Sequence, residues 1–126
     1  MSALRILIVD DSSVMRKIIH RSLREAGLEL QEVFEASNGV EALERMRQTR
    51  GDLIMSDSNM PTMDGLELVR QLQSVENAKG VPIVIITTKA GEAHVVQALS
   101  NGARGYIRKP FNPDQINELI TSLLHG

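Results

Sequence analysis

Five apolar runs of strand length recur along the chain, and polar or turn-forming residues bound each of them. Such runs predict β-strands. They occupy residues 5–10, 31–36, 52–57, 82–87 and 105–109. The stretch from Ile83 to Ile86 is apolar without interruption, which is typical of a strand that is covered on both faces.

Segments with helical spacing of apolar residues lie between these runs and after the last one. Residues that recur three or four positions apart share one face of a helix. Those with this spacing are Met15, Ile18, Ile19, Ser22, Leu23 and Ala26; Leu43 and Met46; Leu66, Val69 and Leu72; Val95, Val96 and Leu99; and Ile116, Leu119, Ile120 and Leu123. Each predicted strand is therefore followed by a predicted helix.

Residues that begin and end helices stand at matching places. Gly27 is placed to end the first helix, and Asn38, three residues before Glu41, is placed to cap the second. Asn112 and Pro113 favour the start of the last helix. No internal repeat, linker or low-complexity tract interrupts the pattern, so we expect one domain over residues 1–126 with no output domain.

Strict alternation of strand and helix predicts the fold. It requires right-handed crossovers and therefore a parallel sheet with helices on both faces. We predict an α/β fold with a five-stranded parallel sheet in the order 2-1-3-4-5, a flavodoxin-like arrangement. In open sheets of this kind, ligands bind beyond the carboxyl ends of the strands, where the strand order reverses.

Composition narrows the partners that the chain can have. The net charge is −2, and the 14 basic and 16 acidic residues are scattered, so no basic stripe favours nucleic acid or an anionic membrane. The absence of cysteine excludes disulfides and thiolate metal sites. The charge pattern favours a protein partner, and with no long apolar segment or leader in view we expect a cytoplasmic location. We also expect a monomer.

Acidic, hydroxyl and basic side chains stand at the predicted strand ends. They are Asp10 and Asp11 after the first strand, Asp57 at the end of the third, Thr87 and Thr88 at the fourth, and Lys109 at the fifth. Clustered carboxylates repel one another, which favours either a raised pKa or a divalent cation with oxygen ligands. The cluster predicts a Mg²⁺ site suited to receiving a phosphoryl group.

Asp57 stands where the chain leaves its third strand and turns, in the stretch SDSNMPTMDGLE. A plain turn requires no carboxylate at that place. Aspartate forms covalent acyl phosphates, and the acid at this turn is the best exposed for in-line attack. Asp57 is therefore the candidate phosphate acceptor, with Lys109 and a threonine hydroxyl available for the phosphoryl oxygens.

Four motifs, in one order, give the chain a resemblance to a known family. They are ILIVDDSSVMR, SDSNMPTMDGLEL, IITT and GARGYIRKPF, and together they are far more specific than any one short motif. Over its full length the chain resembles the receiver domain of two-component response regulators, and most closely the single-domain chemotaxis members of that family.

This resemblance implies a phosphorylation-activated switch. A sensor histidine kinase would donate a phosphoryl group to Asp57, and Lys109 would pair with it. The Mg²⁺ ligands would be Asp10, Asp11, Asp57 and the backbone carbonyl of Asn59. Such a protein catalyses its own phosphoryl transfer and its own dephosphorylation, and is not otherwise an enzyme.

The resemblance also assigns the residues that respond to phosphorylation. Thr87 and Tyr106 would form the switch and act on a downstream protein through the face made by helix four, strand five and helix five. Asn59 and Lys89 would adjust the lifetime of the phosphoryl group. The Lys109–Pro110 bond would be cis, an isomer that is accessible before proline.

Three positions depart from the chemotaxis members. Lys89 stands where they carry an acid, beside the route by which water reaches the phosphate. Gly91 and Glu92 stand where they typically carry lysines on the partner-binding face. Because of these departures, binding to a flagellar motor switch does not carry over from the resemblance. Chemotaxis remains the expected pathway.

Several of these residues also have a plainer structural interpretation. Asp10 or Asp11, taken alone, would cap a helix that begins near Ser12. Met60 and Pro61 favour an ordinary loop. The three histidines are far apart in the sequence and favour surface positions over a metal site.

Other functions remain open at this stage. One is a phosphorelay intermediate, which passes its phosphoryl group on. An Asp-nucleophile phosphatase of the haloacid dehalogenase type would carry Asp-x-Asp-x-Thr after the first strand, where this chain has adjacent Asp10 and Asp11. A flavodoxin-like cofactor carrier would need a phosphate loop of Ser, Thr and Gly, and DDSSVM would repel a phosphate.

Overall fold

The computed structural model describes residues 3–60 and 62–125 and contains a five-stranded sheet. The strands are β1 Leu4–Val9, β2 Leu30–Ala36, β3 Leu53–Asp57, β4 Ile83–Thr87 and β5 Gly105–Arg108. Neighbouring strands pair in parallel, in the order β2-β1-β3-β4-β5. The predicted strands, their direction and their order are confirmed, and no boundary differs by more than one residue.

A helix follows every strand, as the apolar spacing predicted. The helices are α1 Ser13–Glu25, α2 Gly39–Gln48, α3 Gly65–Leu72, α4 Glu92–Ser100 and α5 Pro113–His125. Two 3₁₀ turns, Glu76–Ala78 and Lys89–Gly91, were not predicted. Within the described residues, no helix combines the length and apolarity needed to cross a membrane.

Side-chain caps fix where the helices begin. The Ser12 hydroxyl accepts a hydrogen bond from a backbone amide in the first turn of α1, at 3.1 Å. The alternative that Asp10 or Asp11 caps this helix is therefore wrong. Asn38 caps α2 as predicted, accepting from a backbone amide at 2.8 Å, and Gly27 follows the end of α1 with a φ of +79°.

Each face of the sheet carries an apolar core. In β1, Ile6 and Ile8 belong to a cluster shared with α1 and α5, and Leu7 and Val9 belong to one shared with α2 and α3. All four side chains are fully buried, and burial of each such side chain stabilises the fold by about 1.5–3 kcal/mol. Since successive side chains point to opposite faces, a central strand with two covered faces must be apolar throughout.

The chain makes a close backbone contact just after β3. The amide of Gly65 donates to the carbonyl of Ser58 at 3.1 Å. A Cβ atom at Gly65 would lie 2.8 Å from the carbonyl oxygen of Asp57 and 3.0 Å from the Cα of Ser58. Met60, predicted as an ordinary loop residue, is buried in the core, and Pro61 lies outside the described residues. The start of α3 is thus held directly against the end of β3.

We predict that Gly65→Ala lowers the free energy of unfolding by about 1–3 kcal/mol, because the added methyl group meets backbone atoms that cannot rotate away. Gly51→Ala is the matched control, since the nearest atoms to a Cβ there are 3.4 Å away, and its effect should stay within about 0.5 kcal/mol. Urea unfolding measures both. Equal stability of the two variants would contradict a tight contact at Gly65.

Candidate functional site

The strand order places the carboxyl ends of β1 and β3 side by side. Val9 and Ser56 are partners in the parallel register, so Asp10 and Asp57, which follow them, occupy neighbouring positions at one edge. The amide of Asp10 also donates to the carbonyl of Ala36 in β2, at 3.1 Å. The fold therefore brings together acids that are far apart in the sequence.

Asp10, Asp11 and Asp57 form the acidic cluster of this site. One carboxylate oxygen from each lies within 4.8 Å of the other two. Asp10 is buried, with 2% of its surface exposed, whereas Asp57 is half-buried and Asp11 is exposed. Across residues 3–60 and 62–125, no other group of three acids, histidines or cysteines has this geometry.

One buried oxygen of Asp10 lacks a hydrogen-bond donor. Oδ1 accepts from the Ser12 amide at 2.9 Å, but Oδ2 has no partner among the described residues. An unsatisfied buried oxygen is costly, and a hard divalent cation, which prefers oxygen ligands, would satisfy it. The donor set therefore fits Mg²⁺. Asn59, the fourth ligand implied by the resemblance, lies exposed in the loop after β3.

Lys109 brings a positive charge to the acidic cluster. Its amide donates to the carbonyl of Thr87 at 2.7 Å. Its Nζ lies 3.6 Å from Asp57 Oδ1 and 3.9 Å from Asp10 Oδ2, too far for hydrogen bonds but close enough for Coulombic attraction. The ammonium group therefore attracts both carboxylates but is hydrogen-bonded to neither. The Lys109–Pro110 bond is cis, as the resemblance implied.

Burial raises the pKa of the Asp10 carboxyl above its ordinary value, and the charges of Asp57 and Asp11 add to this effect. The hydrogen bond from the Ser12 amide and the ammonium group of Lys109 act in the opposite direction. The pKa stays raised because a carboxylate taken out of water loses its hydration. Binding of a proton or a cation to this group therefore stabilises the folded protein.

Thr87 is fully buried at the end of β4, and its hydroxyl both accepts and donates a hydrogen bond. It accepts from Ser58 Oγ and donates to the Thr88 carbonyl, each at 3.2 Å. The single hydroxyl proton of Thr87 is thus used in the hydrogen bond to the Thr88 carbonyl. The hydroxyl must release this bond before it can donate to any other group.

Tyr106 and Lys89, the remaining predicted residues, do not line the cavity beside Asp57. Tyr106 pairs with Ile85 across β5 and β4, and 41% of its surface is exposed. Lys89 is exposed in the 3₁₀ turn before α4. Tyr106 therefore lies on the sheet, whereas Lys89 lies in the segment between β4 and α4.

A cavity of about 550 Å³ opens beside Asp57. Its lining includes Asn59, Thr88, Lys109 and His94. It therefore extends from the acidic cluster to the first turn of α4. His94 is exposed and stands outside the acidic cluster, in keeping with its predicted surface position.

Two residues that the sequence reasoning did not single out also support the site. Arg16 donates from Nη1 to the carbonyl of Asp10 and from Nε to Glu35, both at 2.7 Å, which connects α1 and β2 to the backbone of Asp10. Ser58 donates to Thr87 from the loop after β3. Both residues lie within the quoted motifs, but their partners are distant in the sequence and no local pattern indicates them.

Comparison with known proteins gives a family for this arrangement. A family model described as the response regulator receiver domain matches residues 6–121. The chain is 42% identical to the chemotaxis protein CheY1 of Helicobacter pylori, covering 96% of this chain and 97% of that protein. It is 38% identical to the chemotaxis protein CheY homolog of Campylobacter jejuni, covering 96% of this chain and 92% of that protein.

Solved structures agree with these sequence matches. The chemotaxis protein CheY4 of Vibrio cholerae superposes with a TM-score of 0.85 at 34% identity, covering 97% of this chain and 99% of that one. The receiver domain of the sensor histidine kinase PA1611 of Pseudomonas aeruginosa superposes with a TM-score of 0.84 at 26% identity. That match covers 99% of this chain and 100% of the other.

We predict that Asp57→Asn stabilises the metal-free protein at neutral pH by about 1 kcal/mol, because it removes a charge that repels the buried Asp10 carboxylate. The folded-state pKa of Asp10 is raised above its ordinary value of 3.8. The parent should therefore be less stable than Asp57→Asn at pH values above that raised pKa, where Asp10 is charged. As the pH falls through it, Asp10 takes up a proton and the advantage of the variant should shrink.

Urea unfolding in EDTA, from neutral pH down toward 3.8, measures this difference. Asp64→Asn is the matched control. Asp64 lines the same cavity and caps α3, a role that asparagine also performs, but it stands outside the acidic cluster. If Asp57→Asn is less stable than the parent at neutral pH, the acids are not crowded.

Proposed function

Because the chain belongs to the response regulator receiver domain family, we propose that it is a phosphorylation-activated switch that carries its phosphoryl group on Asp57. Receiver domains act in two-component signalling, with a histidine kinase as phosphoryl donor. The observation that supports the assignment best is the meeting of three carboxylates with Lys109 at one sheet edge. Of these acids, Asp57 is half-buried and lines the cavity, so a donor can reach it.

In this proposal Asp10, Asp11, Asp57 and the backbone carbonyl of Asn59 hold Mg²⁺. The unpartnered buried oxygen of Asp10 supports it, as does the PA1611 receiver domain, whose structure has a magnesium ion coordinated in its active-site cleft. When bound, Mg²⁺ supplies positive charge that offsets the carboxylates and the oxygens of an arriving phosphoryl group.

Asp57 acts as the nucleophile. One carboxylate oxygen attacks the phosphorus of the kinase phosphohistidine, and the P–O bond forms as the P–N bond breaks. The bonding electron pair leaves with the imidazole nitrogen. Lys109, 3.6 Å from Asp57, pairs with a phosphoryl oxygen.

Loss of the phosphoryl group returns the protein to its resting state. Water attacks the phosphorus and releases inorganic phosphate, which regenerates the Asp57 carboxylate. In this proposal Asn59, which lines the cavity, and Lys89, which is exposed in the 3₁₀ turn after β4, alter the access of water to the phosphoryl group. Phosphoryl transfer to itself and this hydrolysis are the only reactions that we assign to the protein.

The proposed switch, Thr87 and Tyr106, couples phosphorylation of Asp57 to a protein-binding face. Thr87 turns to donate its hydroxyl to a phosphoryl oxygen, and Tyr106 responds on the neighbouring strand. The face formed by α4, β5 and α5 exposes 67% of Val96, 40% of Leu99 and 41% of Tyr106. Clustered apolar groups at a surface suit a protein partner.

We assign the whole of residues 1–126 to one receiver domain that works as a cytoplasmic monomer. Its partners are a sensor histidine kinase and a downstream protein that binds the α4–β5–α5 face. The proposed pathway is chemotaxis, because the similar proteins of Helicobacter pylori and Campylobacter jejuni carry that name.

Incubation with acetyl phosphate and Mg²⁺ should add one phosphoryl group to the parent, seen as a mass gain of the intact protein. Asp57→Asn should abolish the gain because it replaces the nucleophilic carboxylate by an uncharged amide. Asp64→Asn, which changes an acid in the same cavity, should keep it. A gain of equal yield in Asp57→Asn would place the phosphoryl group on another residue.

Mg²⁺ should stabilise the parent against urea. A cation that binds only the folded state adds about 1.4 kcal/mol at a concentration tenfold above its Kd. Asp11→Asn should lose most of this gain, whereas the control Asp114→Asn, exposed in the first turn of α5, should retain it. An equal gain in Asp11→Asn and in the parent would exclude Asp11 as a ligand.

A further inference from the structure

The hydroxyl of Ser58 reaches across the site to Thr87. We infer that Ser58 is a positioning residue that holds the Thr87 hydroxyl in its resting orientation, and so sets how readily the switch engages a phosphoryl group. The inference rests on the proposed function, since Thr87 is the residue that must turn. Its basis is the hydrogen bond from Ser58 Oγ to Thr87 Oγ1, at 3.2 Å.

The backbone of Ser58 is held on both sides. Its amide donates to the carbonyl of Ile86 at 3.0 Å, and its carbonyl accepts from the amide of Gly65 at 3.1 Å. The first bond continues the pairing of β3 with β4 for one residue beyond Asp57. Ser58 therefore presents its hydroxyl from a fixed point.

Turning the Thr87 side chain breaks two hydrogen bonds together. In the resting orientation the hydroxyl accepts from Ser58 and donates to the Thr88 carbonyl, and the residue has no exposed surface. A buried hydroxyl that loses its partners is costly until new ones form. The resting orientation is thus favoured by the bond that Ser58 supplies.

Gly91 provides the space for this arrangement. A Cβ atom at position 91 would overlap the hydroxyl oxygen of Thr87 and would lie 3.5 Å from Ser58 Oγ. The two hydroxyls therefore occupy a pocket that exists because residue 91 has no side chain. Ser58 follows β3, whereas Thr87 ends β4 and Gly91 lies in the 3₁₀ turn after it. The pocket that holds the two hydroxyls therefore forms only in the folded chain.

Ser58 acts on the switch and stands outside the acidic cluster of Asp10, Asp11 and Asp57. Its removal should therefore change the affinity for a phosphoryl analogue while leaving the affinity for Mg²⁺ alone unchanged. A residue with a purely structural role would change the free energy of unfolding without this selectivity.

A double-mutant cycle with beryllofluoride, an analogue of the phosphoryl group, tests the inference in the presence of Mg²⁺. Ser58→Ala should bind the analogue about three- to tenfold more tightly than the parent, the effect of removing one hydrogen bond from the resting state. In a Thr87→Ala background the same change should have no effect, because the two residues act through one bond.

Ser37→Ala serves as the control, since it removes a serine hydroxyl bond of 2.9 Å to Glu41 and should keep the affinity of the parent. Unchanged or weaker binding by Ser58→Ala, or equal tightening in the Thr87→Ala background, would overturn the role of Ser58. Failure of the parent itself to bind beryllofluoride would instead contradict the proposed function on which this inference rests.

Discussion

The constraint on which the rest of this site depends is the burial of the Asp10 carboxylate, to which two neighbouring carboxylates add their repulsion. Asp10 is buried with one oxygen unpartnered, and one carboxylate oxygen from each of Asp10, Asp11 and Asp57 lies within 4.8 Å of the other two. Lys109 offsets part of this repulsion from 3.6 and 3.9 Å. Positive charge therefore stabilises the site, which suits it to binding a cation. A bound cation would in turn attract the oxygens of a phosphoryl group.

The fold holds this unfavourable arrangement in place and connects it to the surface. The pairing of β1 with β3 sets Asp10 and Asp57 side by side, and Arg16 bridges the Asp10 carbonyl and the Glu35 carboxylate. β4 and β5 lie next along the sheet, so Thr87 stands one strand from Asp57 and Tyr106 one strand further. In the proposed switch, a change at Asp57 reaches the exposed face through these two neighbouring strands.

The strands and the acidic edge were predictable for physical reasons. A parallel sheet covered on both faces leaves uninterrupted apolar runs, and parallel strands deliver their terminal residues to one edge. The orientation of α4 was less predictable: Val95 is buried, but Val96 and Leu99 are exposed, and apolar spacing alone does not tell the inner face from a binding face. The bond from Ser58 to Thr87 spans 29 residues, and no local pattern indicates such a contact.

The most direct test of the electrostatic account is an NMR titration of the Asp10 carboxyl carbon in metal-free protein, with Asp57→Asn for comparison. Burial and the neighbouring acids should place its pKa above the ordinary value of 3.8. In Asp57→Asn the pKa should move down toward that value, because one repelling charge is gone. A parent pKa at or below 3.8, or a raised pKa that does not fall in Asp57→Asn, would contradict the claim that burial and crowding of carboxylates govern this site.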